Sequence, residues 1–149
     1  MRNDVLAAFG LRDYFTTDHR ACDELWATVE EIVSNGGFIE AVLDAFSQAM
    51  RRHLEMEEQV LFPAFEEATG TSGGPTMVMR LEHEQMRGLL DQMNRSAQQQ
   101  RWDTLLDQGD TLLMLVQQHN LKEEGMFYPM CERRLGASWS DLATRLAQI

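Results

Sequence analysis

The segment HLEMEEQVLFP, residues 53–63, and the segment HNLKEEGMFYP, residues 119–129, decide the fold of this chain. In each, a glutamate follows a histidine by four residues, and an aromatic residue and a proline end the segment. Four residues advance an α-helix by about 400° and about 6 Å, so each histidine and its glutamate share one helical face. The two segments lie 66 residues apart, which indicates a duplicated helical hairpin. Pro63 and Pro129 are expected to kink or end their helices nearby.

The rest of the chain also has the pattern of helices. Apolar residues recur with a helical period, and no long stretch alternates with period two. Turn residues at 35–37 and 69–75 separate long helices. We predict an all-α fold, an up-down-up-down antiparallel four-helix bundle with an N-terminal arm and a short C-terminal helix. The predicted ranges are the arm Val5–Phe15, the helices Thr17–Ser34, Phe38–Ala68, Thr76–Gln98 and Trp102–Arg134, and a last helix from Ser138 or Ser140.

Composition and charge limit the classes of function. The chain has 149 residues, a formal net charge of −11 and 44% hydrophobic residues, which suits one domain over residues 1–149. A surface this acidic disfavours nucleic acid and anionic membranes as partners. No stretch matches a membrane span or a signal peptide, so we expect a protein of the cytoplasm. Cys22 and Cys131 form no CxxC pair, so neither a thiolate zinc site nor a disulfide scaffold is indicated.

The histidines share a position in the pattern. Each lies on the apolar stripe of a different predicted helix: His19, His53, His83 and His119. The sequence midpoints between consecutive histidines are Gly36, Ala68 and Arg101, which lie in or beside predicted turns. In antiparallel hairpins this places all four imidazoles in one layer of the core. Any one could be an ordinary core histidine held by a hydrogen bond, but four facing imidazoles leave buried nitrogens poorly paired unless a metal binds.

Two glutamates complete the predicted layer. Glu57 and Glu123 lie one helical turn beyond an inward-facing histidine, so their carboxylates also point inward. A buried carboxylate is costly unless a cation accompanies it. Imidazole and carboxylate ligands suit iron, manganese or zinc, and the duplicated hairpin suits two ions better than one.

These motifs resemble those of the hemerythrin family, in its bacterial single-domain form with the HHE cation-binding pattern. The resemblance covers roughly Tyr14–Arg134 and is carried by Asp18–Arg20, His53–Glu58 with Phe62–Pro63, Glu82–Glu84, and His119–Glu124 with Tyr128–Pro129. It implies two non-haem iron ions, joined by two carboxylates and an oxo or hydroxo bridge. It also implies that Glu57 and Glu123 are the bridging carboxylates and that the histidines are terminal ligands: His19, His53, His83 and His119.

The chain departs from the oxygen-carrying hemerythrins at one position. Those proteins have a second histidine one turn after the first on the third helix, where this chain has Arg87. Six protein ligands and one bridge fill ten of the twelve positions of two octahedral ions, so both ions would keep an open position. Water, Tyr14 or another carboxylate could fill one of them.

The resemblance favours a metal-binding protein over an enzyme, so no catalytic residue is named. The leading hypothesis is a di-iron centre that binds dioxygen or nitric oxide for sensing, storage or protection. The six-ligand set also resembles that of di-iron proteins that repair iron–sulfur clusters, so iron donation under nitrosative or oxidative stress is the alternative. A peroxide-decomposing di-iron enzyme is the third hypothesis.

Overall fold

The structure, a computed structural model, describes residues 10–149, and this part of the chain contains helices and turns without a strand. Its α-helices are α1 (Leu11–Ser34), α2 (Glu40–Met56), α3 (Phe62–Thr69), α4 (Pro75–Gln98), α5 (Trp102–Lys122), α6 (Tyr128–Leu135) and α7 (Trp139–Leu146). Four rods form the bundle: α1, then α2 with α3, then α4, then α5 with α6. No helix of the described range is long and apolar enough to span a lipid bilayer. The all-α helical bundle is therefore confirmed, and α7 begins where the last helix was predicted.

The first helix begins earlier than predicted, at Leu11 instead of near Thr17. Leu11, Tyr14 and Phe15 are buried, and their spacing continues the apolar stripe of α1 toward its N-terminus. The burial of these three side chains explains why the helix extends beyond the predicted N-cap. The remainder of the predicted arm, residues 5–9, lies outside the described part of the chain.

Pro63 and Pro129 do not end their rods. Each follows a π-helical turn, Glu57–Leu61 in the second rod and Glu123–Phe127 in the fourth. Proline has no N–H, and its ring collides with the carbonyl four residues back in a regular α-helix. The wider turn relieves this conflict, and the α-helix resumes with the proline in its first turn. Both turns begin at a predicted metal ligand, in keeping with the frequent occurrence of π-helical turns at functional sites.

Two apolar clusters fill the core of the bundle. One contains Phe15 and Phe127, and α7 packs against it through Leu142. The other contains Trp26 and Phe46. Along every rod the histidine lies between residues of the first cluster and residues of the second. The polar side chains of the predicted layer are therefore enclosed by apolar packing at both ends.

Candidate metal centre

The six residues predicted as metal ligands lie together at the centre of the bundle. They are at most 5% exposed: His19, His53, Glu57, His83, His119 and Glu123. Their donor atoms form two groups, and within each group all donor atoms lie within 4.8 Å of one another. The His83 group consists of Glu57, His83, His119 and Glu123, and the His19 group consists of His19, His53 and Glu123. This division suits two ions, although the role of the six residues as ligands stays a prediction.

The two buried carboxylates lie between histidines of both groups. Glu57 Oε1 is 3.3 Å from Nε2 of His53 and 3.3 Å from Nε2 of His83. Glu123 Oε1 is 3.1 Å from Nε2 of His19 and 3.1 Å from Nε2 of His119. Each carboxylate can therefore reach both predicted ions, as a bridging ligand must.

Each histidine directs its other ring nitrogen, Nδ1, to an acidic residue on a neighbouring rod. The contacts are Asp18–His53 at 2.7 Å, Glu58–His83 at 2.7 Å, Glu82–His119 at 3.1 Å and Glu124–His19 at 2.8 Å. They close a ring around the bundle, from the first rod to the second, third and fourth and back to the first. Because each carboxylate accepts the Nδ1 proton, we assign an Nε2 lone pair that points inward. We call the four acidic residues the carboxylate ring.

Cations near the bundle surface contact this ring from outside. The contacts are Arg87 to Glu58 at 2.8 Å, Lys122 to Glu82 at 2.6 Å and Arg20 to Glu124 at 2.7 Å. Burial raises the pKa of Glu58, but hydrogen bonds from His83 and Arg87 outweigh burial, so the pKa is lowered. Arg87 stands at the position of the fifth histidine in oxygen-carrying hemerythrins, and here its guanidinium points to the carboxylate ring.

The inner atoms of the layer lack enough hydrogen-bond partners. Among the described residues, His53 Nε2, Glu57 Oε1 and Glu123 Oε2 are buried without one. Nε2 of His83 lies 3.3 Å from Nε2 of His119, and both nitrogens are acceptors in the assigned tautomers. Unpaired buried acceptors are costly, and a cation between them satisfies several at once. This donor set of nitrogen and oxygen therefore fits a metal site of the kind the hemerythrin resemblance implies.

Protons can partly replace a metal at this layer. Burial lowers the pKa of His83, but the nearby carboxylates of Glu57 and Glu58 outweigh burial and raise that pKa to about 9. Burial also opposes protonation of His53 and His119, and nearby carboxylates raise both pKa values above the usual range. Metal binding is therefore expected to release protons, since a histidine must be neutral at the nitrogen that binds.

A tyrosine that sequence reasoning did not name as a ligand reaches the layer. Tyr128 Oη lies 2.9 Å from Glu57 Oε2, 3.0 Å from Glu123 Oε1 and 3.1 Å from His19 Nε2. Tyr14, one of the candidates for an open position, instead donates its hydroxyl proton to the sulfur of Met56 at 3.8 Å. The structure therefore does not place Tyr14 among the predicted ligands. The sequence did not predict which histidine each member of the carboxylate ring contacts, although each member adjoins a predicted ligand in sequence.

A small cavity adjoins the histidines on the side of the second apolar cluster. Its volume is about 10 Å³, close to the space that one water molecule needs. The lining residues are His19, Cys22, Met50, His53, Leu54, Met86, Val116, His119 and Asn120. Burial raises the pKa of the Cys22 thiol to about 11, so this sulfur stays protonated at neutral pH. The cavity is therefore a small and mostly apolar space next to ligands of both groups.

Removal of one member of the carboxylate ring should weaken metal binding without abolishing it. Glu58→Ala takes away the hydrogen bond that orients His83 and fixes its tautomer. Loss of such a partner typically lowers metal affinity about 10- to 100-fold. We expect this decrease in a competition titration with a colorimetric ferrous chelator, and an unchanged number of ions at saturating metal.

Glu84→Ala is the matched control, because Glu84 is exposed and directly follows His83 in sequence. This variant removes an equal charge and should keep the parental affinity. Equal weakening in both variants would mean that overall charge, rather than the orientation of His83, governs binding. Complete loss of metal in Glu58→Ala would mean that Glu58 is itself a metal ligand.

Comparison with known proteins agrees with this geometry. The family model for the hemerythrin HHE cation-binding domain matches residues 11–131, a range that includes all six predicted ligands and both π-helical turns. Neither the curated proteins nor the solved structures gave a match. Because the matched range covers most of the 149 residues, it shows the family. The chain belongs to the hemerythrin family, as an HHE cation-binding domain.

Proposed function

We propose that this protein binds two iron ions at the histidine layer and that the resulting centre binds dioxygen or nitric oxide, for sensing, storage or protection. The observation that carries the proposal is the set of buried, unpaired donor atoms on His53, Glu57 and Glu123. A bound cation satisfies these atoms, and the hemerythrin family supports the assignment of a cation site.

The arrangement of the carboxylates supports two ions instead of one. Glu57 and Glu123 each contact histidines of both the His83 group and the His19 group. A single tetrahedral zinc ion uses four ligands and would leave two of the six buried donors without a partner. Two ions that share both carboxylates use the whole set.

The donor chemistry supports iron. Imidazole nitrogen and carboxylate oxygen suit iron, and a thiolate ligand would favour zinc or an iron–sulfur cluster. Cys22 borders the cavity next to the histidines, but its sulfur belongs to neither of the two groups of donor atoms. The predicted first coordination sphere therefore consists of nitrogen and oxygen.

The size of the cavity supports a small ligand. When bound, the iron ions supply coordination positions and electrons for a diatomic molecule. The protein supplies a space of about 10 Å³, lined mainly by apolar side chains and bordered by His19 and His119. A space of this size excludes metabolites, and its mainly apolar lining offers a water molecule few hydrogen-bond partners, which favours a small apolar molecule such as dioxygen or nitric oxide.

Elemental analysis and optical spectroscopy test the proposal. Protein produced with added iron should contain about two irons per chain. After anaerobic reduction, air should produce a charge-transfer absorption band that disappears again when oxygen is removed. One iron per chain, or tightly bound zinc in its place, would contradict the di-iron assignment.

The same spectra separate the two alternatives. Bleaching with loss of iron from the protein would instead support iron donation to damaged iron–sulfur clusters. Steady decomposition of added peroxide with retention of both irons would support the peroxide-decomposing enzyme. A reversible band with neither of these signs supports ligand binding.

A further inference from the structure

The duplicated hairpin has one chemical difference at the metal layer. Phe62 and Tyr128 occupy equivalent positions in the two repeated segments. Phe62 stacks on His83, with ring centroids 5.4 Å apart and ring planes at 28°. Tyr128 stacks on His19 in the same way, at 5.7 Å and 30°. The two rings therefore lie alike, and only the tyrosine brings an oxygen atom into the layer.

We propose that Tyr128 is a seventh protein ligand, whose phenolate oxygen binds the ion held by His19 and His53 and fills its last coordination position. The ion of the His83 group then keeps its open position, because Phe62 offers no donor atom there. The two irons are therefore inequivalent, and external ligands bind to one of them. This inference rests on the proposed di-iron function.

The phenol oxygen of Tyr128 has more hydrogen-bond acceptors around it than its single proton can satisfy. Glu57 Oε2, Glu123 Oε1 and His19 Nε2 all lie within 3.1 Å of Tyr128 Oη. His19 directs Nδ1 to Glu124, so its Nε2 is an acceptor, as are both carboxylate oxygens. The one phenolic proton can satisfy one of these three acceptors. A cation placed among the four lone pairs satisfies all of them.

The distances also fit one coordination sphere. Bonds of about 2.1 Å at right angles place neighbouring donor atoms about 3.0 Å apart. The three contacts of Tyr128 Oη measure 2.9, 3.0 and 3.1 Å, as expected for adjacent positions around one ion. Phe62, the counterpart of Tyr128 in the other repeated segment, has no hydroxyl group and therefore offers no ligand atom to the other ion.

Binding of the phenol to the ion is a simple exchange of a proton for a metal ion at the oxygen atom. The O–H bond of Tyr128 breaks, an oxygen–metal bond forms, the proton leaves to solvent, and no electron is transferred. Burial and the carboxylates of Glu123 and Glu57 raise the pKa of Tyr128 when no metal is present. A metal ion reverses that preference, because its charge is the largest in the site and stabilises the phenolate.

Resonance Raman spectroscopy of the air-oxidised, iron-loaded protein tests the proposal. Tyrosinate bound to ferric iron gives ring vibrations that are enhanced by excitation in its charge-transfer band. The chain has two tyrosines, so Tyr128→Phe and Tyr14→Phe assign such a signal without ambiguity. We expect the signal in the parent and in Tyr14→Phe, and its loss in Tyr128→Phe with about two irons retained.

Mössbauer spectra of the nitric oxide adducts supply the second measurement. We expect one modified iron in the parent and two in Tyr128→Phe, which makes both positions equivalent. The double variant Phe62→Tyr/Tyr128→Phe should regain the Raman signal and return to one modified iron. A parent with two irons and no tyrosinate signal overturns the role of Tyr128 and leaves the proposed function standing. Fewer than two irons in the parent overturns both.

Discussion

Glu57→Ala and Glu123→Ala are expected to empty both metal positions, whereas His83→Ala empties at most one. Each carboxylate lies between histidines of the two groups, so its removal takes a ligand from both predicted ions at once. It also removes the negative charge that offsets a buried cation. His83 belongs to one group, and its loss leaves the His19 group unchanged. Iron content per chain after desalting measures the difference.

Two further variants support the interpretation of this comparison. Glu55→Ala is the matched control, because Glu55 is an exposed glutamate in the same rod of the bundle as Glu57, and this variant should keep both irons. Glu57→Gln keeps the shape of the side chain and removes its charge, so retained iron in this variant would show that shape matters more than charge. Far-ultraviolet circular dichroism confirms that each variant remains helical. Equal loss of iron from the carboxylate and His83 variants would leave the bridging role unsupported.

The histidine layer was predictable because it follows from periodicity. A helix repeats its faces every 3.6 residues, so a histidine on an apolar stripe must point inward. Turn residues at 35–37, 69–75 and near Arg101 then set which residues share a level in antiparallel neighbours. The structure brings the four histidines and both glutamates together, in agreement with this argument.

The position of Tyr128 could not be predicted in the same way. In a regular α-helix, five residues correspond to a rotation of about 140°, which would point Tyr128 away from the carboxylate of Glu123. The π-helical turn Glu123–Phe127 changes that phase, and the phenol then lies 3.0 Å from Glu123 Oε1. The proline in the sequence predicts an irregularity in the helix, but whether this is a kink, a helix end or a π-helical turn depends on tertiary packing.

The carboxylate ring shows a different limit of sequence reasoning. Its members lie beside predicted ligands in sequence, and many acidic residues of this chain have no such role. Which of them reaches a histidine depends on the spacing and rotation of neighbouring rods. Asp18 contacts the histidine of the second rod, His53, instead of its own neighbour His19. Contacts between side chains of different rods can be identified only from the three-dimensional structure of the bundle.

The largest change in stability is expected at Gly109, a buried residue in the middle of α5. A Cβ atom built at Gly109 would lie 2.0 Å from Cζ2 and 2.2 Å from Cη2 of Trp26. The indole ring is rigid and packs against Phe46, so it cannot move away cheaply. Gly109→Ala should lower the free energy of unfolding by about 1–3 kcal/mol, as overpacking of a core does. In a chain of this size that corresponds to a fall in Tm of about 2–4 °C per kcal/mol.

Gly88→Ala provides the matched control for this prediction. Gly88 is exposed within α4, and a Cβ atom there would meet nothing within 4 Å. Alanine favours a helix over glycine by up to about 1 kcal/mol, so Gly88→Ala should raise the Tm. Both variants are compared as metal-free protein, because bound metal stabilises the folded state and would mask the difference. The same added methyl group should thus act in opposite directions at the two sites. If Gly109→Ala also raised the Tm, the indole ring of Trp26 would have to move freely, and the tight contact between α1 and α5 at this point would not constrain the core.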